Sequence, residues 1–229
     1  MQVVILAGGK GERLRPLTNN IPKPMIEVGG KPILFHIIEA LPQEITEVYV
    51  VVGYHGDVIE KAFASYNKGG KKIMCVKQGI ENGTFAALQT VEKFLKGSFL
   101  VLNGDSLYSK PDLKELCKNS LSILVRHEDW PSERTAACFF DEKMNLSSIH
   151  EKVPNLKYEY ANCGAYVLTQ AIFSEPITRG PSGESWLSAM VGTLATKSSV
   201  QGVVAKQYCT ITSIEDIKFC ETVIAKFDK

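Results

Sequence analysis

The sequence predicts an α/β protein with a mostly parallel central sheet flanked by helices. Three observations support this fold class. Apolar, β-branched runs of strand length alternate with segments of helical spacing through the first half of the chain. The strand runs are almost continuously apolar, which is typical of parallel strands covered on both faces. A glycine-rich stretch follows the first run directly, and ligands of such sheets bind beyond the carboxyl ends of the strands.

The elements of the first half follow from these patterns in order. Residues 3–6 form the first predicted strand, and the spacing of apolar residues over 32–41 predicts a helix. The same reasoning predicts strands over 47–53, 72–77 and 98–102, and helices over 57–66 and 84–95. Strands alternating with helices in this way indicate a parallel sheet.

The second half predicts a mixed or antiparallel extension of the sheet. Strands are expected over 121–126, 135–140, 146–151 and 161–168, with turns between them. Helices are expected over 185–196 and 213–227. In the second of these helices, Ser213 is the predicted N-cap and Asp216 stands at the capping-box position.

The composition indicates an ordinary globular protein and excludes several classes. The chain has 229 residues and a formal net charge of +1, which gives no electrostatic case for nucleic acid or an anionic membrane. Its six cysteines form no CxxC pair and predict free thiols, not disulfides or a zinc site. We find no secretory signal and no apolar run of membrane-spanning length, so the expected location is the cytoplasm.

The loop after the first strand reads Gly8-Gly9-Lys10-Gly11. Glycines let backbone amides approach an anion such as a phosphate without obstruction by a Cβ atom. The loop is not a Walker A motif, and it does not match GxGxxG because position 14 is leucine. A tight turn alone would explain the glycines, but it would not explain the cations that follow them.

Two of these cations are predicted to position phosphoryl groups. Arg13 offers a planar fork that can grip phosphate oxygens in two places. Lys23 lies between two prolines, which restrict its backbone. Lys10 and Arg15 are predicted to be surface cations.

Residues 6–25, LAGGKGERLRPLTNNIPKPM, resemble the signature of the nucleotidyltransferases that join a nucleoside triphosphate to a sugar 1-phosphate, the NDP-sugar pyrophosphorylases. That signature reads roughly Gly-Gly-x-Gly-x-Arg-Leu-x-Pro-Leu-Thr, followed by Pro-Lys-Pro. The resemblance implies a Rossmann-like sheet of the GT-A type with a sugar-binding extension. It also implies a single nucleotidyltransferase domain over 1–229, with a nucleotide-binding half (1–120) and an acceptor-binding half (121–229).

Later segments resemble further elements of this family in the same order. Gln78 and Gly83-Thr84 resemble the element that reads the base. Asn103-Gly104-Asp105 resembles the metal-bearing corner, where the aspartate would hold Mg²⁺.

On the acceptor side, Glu151-Lys152 resembles the Glu-Lys-Pro element, whose glutamate meets the sugar and whose lysine meets the sugar phosphate. Asn162-Cys163-Gly164 resembles the strand along the sugar, and Glu184 is a candidate contact to a sugar hydroxyl.

The resemblance therefore implies three groups of site residues. The catalytic group is Arg13, Lys23 and Asp105, of which Asp105 is also the metal ligand. The nucleotide-binding group is Leu6, Ala7, Gly8, Gly9, Gly11, Gln78, Gly83, Thr84 and Gly104. The sugar-phosphate-binding group is Glu151, Lys152, Asn162, Gly164 and Glu184.

Two positions depart from the family pattern. Val153 intervenes between the Glu-Lys pair and Pro154. Near the C-terminus the family often reads Trp-x-Asp-x-Gly-Thr-Pro-Glu-Asp, whose first aspartate is a second metal ligand, and here Thr210 takes its place. A hydroxyl is a much poorer Mg²⁺ ligand than a carboxylate. Glu215 and Asp216 are expected to serve the first turn of the last helix instead.

The resemblance implies an enzyme of nucleotide-sugar and polysaccharide biosynthesis that uses Mg²⁺, a nucleoside triphosphate and a sugar 1-phosphate, and releases pyrophosphate. Two alternatives stay open: a nucleotidyltransferase with a non-sugar phosphate acceptor, and a catalytically silent regulatory homologue, which Thr210 motivates. A glycosyltransferase ranks last because it would usually need an Asp-x-Asp corner. The base, the sugar and assembly into a homo-oligomer are not fixed by the sequence.

Overall fold

The computed structural model describes residues 1–64, 66, 70–80, 82–128, 131–181, 183–225 and 227. Its helices are α1 (Ile33–Ala40), α2 (Gly56–Ala64), α3 (Thr84–Gln89), α4 (Lys110–Leu116), α5 (Leu187–Ala195) and α6 (Ile214–Ile224). Its strands are β1 (Gln2–Ala7), β2 (Glu27–Val28), β3 (Lys31–Pro32), β4 (Glu47–Val52), β5 (Lys72–Lys77), β6 (Phe99–Asn103), β7 (Ser106–Tyr108), β8 (Ser122–His127), β9 (Ala136–Phe140), β10 (Leu146–Glu151), β11 (Tyr160–Leu168), β12 (Gln201–Val204) and β13 (Tyr208–Thr210).

The main sheet has the strand order β10-β9-β11-β6-β1-β4-β5, and β8 adds to it by pairing with both β11 and β12. Strands β5, β4, β1 and β6 are mutually parallel. Strand β11 runs antiparallel to β6, β8 and β9. The predicted fold class, a mostly parallel centre with a mixed extension, is confirmed.

Register brings the ends of the central strands to one edge of the sheet. Ala7 at the end of β1 pairs with Val52 at the end of β4, and Leu6 pairs with Asn103 at the end of β6. The segments that follow these strands therefore leave the sheet side by side. This edge is where a doubly wound sheet binds its ligands.

Both faces of the central strands are buried, as their continuous apolar runs predict. Side chains of β1 alternate between the two faces: Val3 packs in a core with α1, whereas Val4 packs in a core with α3 and α5. Burial of both faces fixes the register of these strands, and the register in turn sets the positions of the loops at the carboxyl edge.

Most predicted elements are present, but several predicted helices are shorter than expected. The helix expected over 213–227 ends at Ile224. The helix expected over 84–95 ends at Gln89 and is followed by a separate 3₁₀ turn, Glu92–Phe94. The helix expected over 185–196 begins at Leu187, because the backbone before it bonds to a distant segment described below. The capping box of Ser213 and Asp216 is confirmed.

Residue 65 of the predicted helix 57–66 and residues 226, 228 and 229 near the C-terminus lie outside the described part of the chain. Helix α4 and strands β2, β3, β7, β12 and β13 were not predicted. Where the chain is described, no helix has the length and apolar character to cross a bilayer. All six cysteines are free.

Candidate active site

A cleft of about 1020 Å³ opens at the carboxyl edge of the central strands and continues over the sheet extension. Every site residue implied by the sequence lines this one cleft: Leu6, Ala7, Gly8, Gly9, Gly11, Arg13, Lys23, Gln78, Gly83, Thr84, Gly104, Asp105, Glu151, Lys152, Asn162, Gly164 and Glu184. The fold thus brings together residues up to 178 positions apart in the chain, from Leu6 to Glu184. Their individual roles stay predictions.

Glycines at the end of β1 allow unusually close packing on one side of the cleft. A Cβ atom at Gly8 would lie 2.3 Å from Oε1 of Gln78, and one at Gly53 would lie 2.6 Å from the Gly8 carbonyl oxygen. That carbonyl also accepts a hydrogen bond from the backbone N–H of Tyr54 at 3.2 Å. The floor of this side is therefore backbone and amide, which offers donors and acceptors to a planar polar ligand.

Gly11 adopts a left-handed conformation with φ +62°, and its carbonyl accepts the Thr18 hydroxyl at 2.9 Å. A Cβ atom there would lie 3.1 Å from Cβ of Lys23, so glycine lets the two segments approach. Arg13 follows in a single 3₁₀ turn whose Leu14 is buried, which anchors the turn and leaves Arg13 exposed in the cleft. In this loop the guanidinium of Arg13 is exposed, whereas Lys23 is nearly buried.

An ion pair joins the glycine loop to the corner after β6. Nζ of Lys23, a residue only 8% exposed, donates to Oδ2 of Asp105 at 2.7 Å. Burial alone would raise the pKa of Asp105. The charge and hydrogen bond of Lys23, the hydroxyl of Ser106 and the charge of Arg13 outweigh it and hold that pKa below its ordinary value. Asp105 is therefore ionised at neutral pH.

A cluster of three hydroxyls stands behind this carboxylate. Strand β13 pairs with β7 so that Thr210 lies opposite Ser106 and Tyr208 opposite Tyr108. Oγ of Ser106 lies 3.2 Å from Oδ1 of Asp105, 3.0 Å from the Tyr208 hydroxyl and 3.1 Å from Oγ1 of Thr210. Burial raises the pKa of Tyr208, so its hydroxyl stays protonated. The position where the family often has a carboxylate thus belongs to a neutral hydrogen-bonded cluster that orients Asp105.

Strand β10 ends at Glu151, and the chain turns at Lys152. Oε2 of Glu151 accepts the hydroxyl of Ser188 at 2.6 Å. Lys152 has φ +52°, and its backbone N–H bonds to the Thr135 carbonyl at 2.9 Å. Its ammonium lies 5.4 Å from the centroid of the Trp186 ring. Both predicted side chains are therefore held in defined positions.

Asn162 serves the local backbone of β11. Its Oδ1 accepts the N–H of Gly164 at 2.8 Å, and its Nδ2 donates to the Tyr166 hydroxyl at 2.5 Å. Gly164 has φ +70°, and a Cβ atom there would lie 2.1 Å from Nδ2 of Asn103. These contacts hold the irregularity between Asn162 and Tyr166, where β11 leaves the register of β8. Asn162 thus shapes the strand along the cleft.

Thr84 also has a protein partner. Its hydroxyl accepts the backbone N–H of Leu187 at 2.8 Å, and the N–H of Phe85 donates to the Ser185 carbonyl at 3.0 Å. Gly83 has φ +118°, and a Cβ atom there would lie 2.3 Å from that same carbonyl oxygen. The segment before α5 is therefore bonded directly to the start of α3.

Residues 2–202 match the family model described as nucleotidyl transferase. The chain belongs to the nucleotidyl transferase family. It is 35% identical over 210 residues to the bifunctional protein GlmU of Methanocaldococcus jannaschii, covering 91% of this chain and 50% of that protein. It is 36% identical over 180 residues to the D-glycero-alpha-D-manno-heptose 1-phosphate guanylyltransferase of Campylobacter jejuni, covering 76% of this chain and 79% of that protein.

A third relative of this nucleotidyl transferase is the UTP–glucose-1-phosphate uridylyltransferase AglF of Haloferax volcanii, 33% identical over 193 residues and covering 79% of each protein. The chain spans about half the length of the archaeal GlmU proteins it matches. A UDP-glucose pyrophosphorylase in complex with UDP-glucose superposes with a TM-score of 0.84 at 18% identity, covering 98% of both chains. That likeness establishes the fold.

Sequence reasoning missed several residues that shape the cleft of this family member. Ser106 directly follows Asp105, the predicted metal ligand, and this adjacency in sequence could have identified it as a neighbour of the site. Thr210 was noted only as a departure from the family pattern, and Tyr208 was not noted at all. The two alternate on one strand and therefore share a face, but nothing local indicated that β7 is their partner. Trp186 and Ser188 carry no local signal, because their roles depend on residues that lie far from them in the chain.

Proposed function

We propose that the chain transfers a nucleotidyl group from a nucleoside triphosphate to a sugar 1-phosphate and releases pyrophosphate. The ion pair of Lys23 with Asp105 carries this proposal. A nearly buried cation and an ionised carboxylate thus line the same cleft as the glycine loop and Lys152. Membership of the nucleotidyl transferase family supports the same chemistry.

In the proposed reaction an oxygen of the sugar 1-phosphate attacks the α-phosphorus of the triphosphate. A new P–O bond forms as the bond to the β-phosphate oxygen breaks, and pyrophosphate leaves with the electron pair. The substrate supplies the nucleophile, so the protein contributes positioning and charge neutralisation. We assign the leaving pyrophosphate to Arg13, the reacting phosphates to Lys23 and the acceptor phosphate to Lys152.

The remaining predicted residues would hold the rest of the two substrates. The nucleotide side comprises the backbone of the loop and corner together with the base-facing element: Leu6, Ala7, Gly8, Gly9, Gly11, Gln78, Gly83, Thr84 and Gly104. The acceptor side comprises Glu151, Asn162, Gly164 and Glu184. These assignments rest on the common cleft and on the resemblance of the motifs.

The family is generally dependent on a divalent metal, and we propose Mg²⁺ with Asp105 as its protein ligand. No group of three or more His, Cys, Asp or Glu side chains suited to a metal occurs among the described residues. Mg²⁺ nevertheless fits, because it keeps several waters and is often held by one or two carboxylates together with substrate phosphates. When bound, it would neutralise charge on the phosphates. Asp105 would hold it, with Ser106 fixing the orientation of the carboxylate.

We also place the activity in the biosynthesis of nucleotide-sugars, in the cytoplasm. The names of the relatives support a sugar 1-phosphate as acceptor, but they include both a uridylyl- and a guanylyltransferase. The base therefore needs a direct test.

The test incubates the protein with Mg²⁺, each common nucleoside triphosphate and a panel of sugar 1-phosphates, with inositol 1-phosphate as a non-sugar acceptor, and follows pyrophosphate. We expect Mg²⁺-dependent release with at least one sugar pair. Lys23→Met should reduce its rate by roughly 10²–10³-fold, the usual effect of losing one preorganised electrostatic contact. Lys61→Met is the matched control, since that exposed lysine pairs with Asp57 on α2 outside the cleft. No release with any pair would refute the proposal.

A further inference from the structure

Trp186 lies in the cleft immediately before α5, in the segment that bonds to the start of α3. Its indole N–H donates to Oε2 of Glu184 at 3.4 Å. Gly180 packs against the six-membered part of the ring so closely that a Cβ atom there would lie 2.2 Å from Cζ2. The ring position is therefore defined by its own neighbours before any ligand is considered.

The ammonium of Lys152 lies over this ring, with Nζ 5.4 Å from the ring centroid. That distance is within the range of a cation–π interaction, for which tryptophan is the strongest partner. Lys152 also adopts a left-handed backbone conformation, φ +52°, that a non-glycine residue rarely takes. Strained backbone of this kind persists where surrounding contacts over-determine it, and it clusters at ligand-binding sites.

The backbone on both sides of Trp186 is fixed to the nucleotide half of the cleft. The N–H of Leu187 donates to Oγ1 of Thr84 at 2.8 Å. The backbone carbonyl of Ser185 accepts the N–H of Phe85 at 3.0 Å. The indole is thus mounted on backbone that cannot shift without breaking bonds to α3, and it is suited to hold a flexible side chain in place.

We infer that Trp186 is a positioning residue that holds the Lys152 ammonium where the phosphate of the acceptor binds. The inference rests on the proposed function, and it adds a residue that the sequence motifs do not include. A free lysine side chain loses much rotamer freedom when it is fixed by a ligand. An indole that restricts the Lys152 ammonium before the ligand binds reduces this loss of rotamer entropy. Trp186 should therefore strengthen binding of the acceptor.

The kinetic test replaces the ring with an aliphatic side chain in Trp186→Leu. We expect the KM for the sugar 1-phosphate to rise by roughly 3- to 10-fold, the range expected for one partly exposed cation–π contact. The KM for the nucleoside triphosphate should stay within about twofold of the wild type, which a general loss of structure would not produce. Trp186→Phe retains an aromatic face, so its KM for the sugar 1-phosphate should stay close to that of the wild type. If the leucine variant folds poorly, the fluorescence titration, in which Trp186 is intact, provides the readout.

A double-mutant cycle separates positioning from packing. In a Lys152→Met background, Trp186→Leu should raise the acceptor KM no further, because the ammonium it positions is gone. An equal rise in both backgrounds would mean that the ring acts independently of Lys152 and would overturn the inference. An acceptor KM within twofold of the wild type in Trp186→Leu would also overturn it.

Fluorescence gives a readout that does not require turnover. The chain has two tryptophans, so Trp130→Phe leaves Trp186 as the only one. Titration of that variant with the sugar 1-phosphate should give a saturable change in emission that disappears when Lys152→Met is added. The absence of a saturable change in the parent variant would contradict the inference. Failure of the proposed function would instead show as no pyrophosphate release from the wild type with any pair.

Discussion

Thr210→Asp should convert the hydroxyl cluster into a second carboxylate and make the free protein sensitive to divalent cations. Oγ of Ser106 is 3.1 Å from Oγ1 of Thr210 and 3.2 Å from Oδ1 of Asp105, so those two oxygens are at most 6.3 Å apart. Two carboxylates at that separation repel by about 2.6 kcal/mol at an effective dielectric constant of 20, and by about 0.7 kcal/mol in water.

The side chain of Asp105 is 35% exposed, so the repulsion should fall between these limits, at roughly 1–2 kcal/mol. For a chain of this size that lowers Tm by roughly 2–8 °C when divalent cations are removed. Residues 105 and 210 of the variant would both be carboxylates able to hold Mg²⁺, and the bound cation would neutralise their charge. With a Kd near 1 mM, 10 mM Mg²⁺ would restore about 1.4 kcal/mol of stability.

The assay is thermal unfolding in a chelator and again in 10 mM Mg²⁺. The wild type should shift by less than about 1 °C, because Asp105 alone, already paired with Lys23, binds the free cation weakly. Thr210→Asn is the matched control, since it has the shape of aspartate without the charge. A Thr210→Asp variant that is as stable as the wild type in chelator and does not respond to Mg²⁺ would refute the reasoning. An equal Mg²⁺ response in Thr210→Asn would also refute it.

Three further predictions concern the ion pair and one glycine. Lys23→Met should lower stability by roughly 1–2 kcal/mol in urea unfolding, a value reduced from that of a fully buried pair because Asp105 is partly exposed. Asp105→Asn should make the free energy of unfolding less dependent on pH. Because the pKa of Asp105 is depressed in the folded state, the pair stabilises the fold fully above the unfolded pKa of about 3.9. This contribution is lost as the pH falls through the pKa of Asp105 in the folded protein. A stability difference between wild type and Asp105→Asn that stayed constant from pH 6 to pH 3 would contradict this. Gly83→Ala should cost roughly 2–4 kcal/mol, since its Cβ atom would meet the Ser185 carbonyl and its φ is +118°. Gly97→Ala, which has φ +60° but open space around its Cβ atom, should cost only about 1 kcal/mol, and equal losses would refute the steric argument.

The sheet could be predicted because the sequences of its central strands are apolar on both faces. Val3 and Val4 point into different cores, so the run containing them is apolar at every position and not at alternate ones. Helix ends were predicted less well. Local spacing continued the helix at Thr84 to residue 95, whereas Val91 leaves helical geometry and the chain turns at Glu92.

The site residues could be predicted where a motif supplies both the residue type and its spacing. The groups that orient them could not, because they come from distant segments. Ser106 meets Thr210 across 104 positions, and the Ser185 hydroxyl meets the N–H of Ala86 across 99. Such contacts depend on the pairing of β7 with β13 and on the docking of α5, which no local pattern specifies.

The structure also bears on whether Thr210 makes the chain catalytically silent. Apolar side chains of similar volume are often as stabilising as a partly buried ion pair, because desolvation of the charges offsets much of their attraction. Folding therefore does not explain why Lys23, nearly buried, points its ammonium at Asp105. A substrate with several negative charges and a divalent cation does explain it, since each would compete for one member of the pair. The hydroxyls around Ser106 then keep the remaining carboxylate oriented. Thr210 would then weaken binding of the free cation without removing the charge of Asp105 on which the proposed transfer depends.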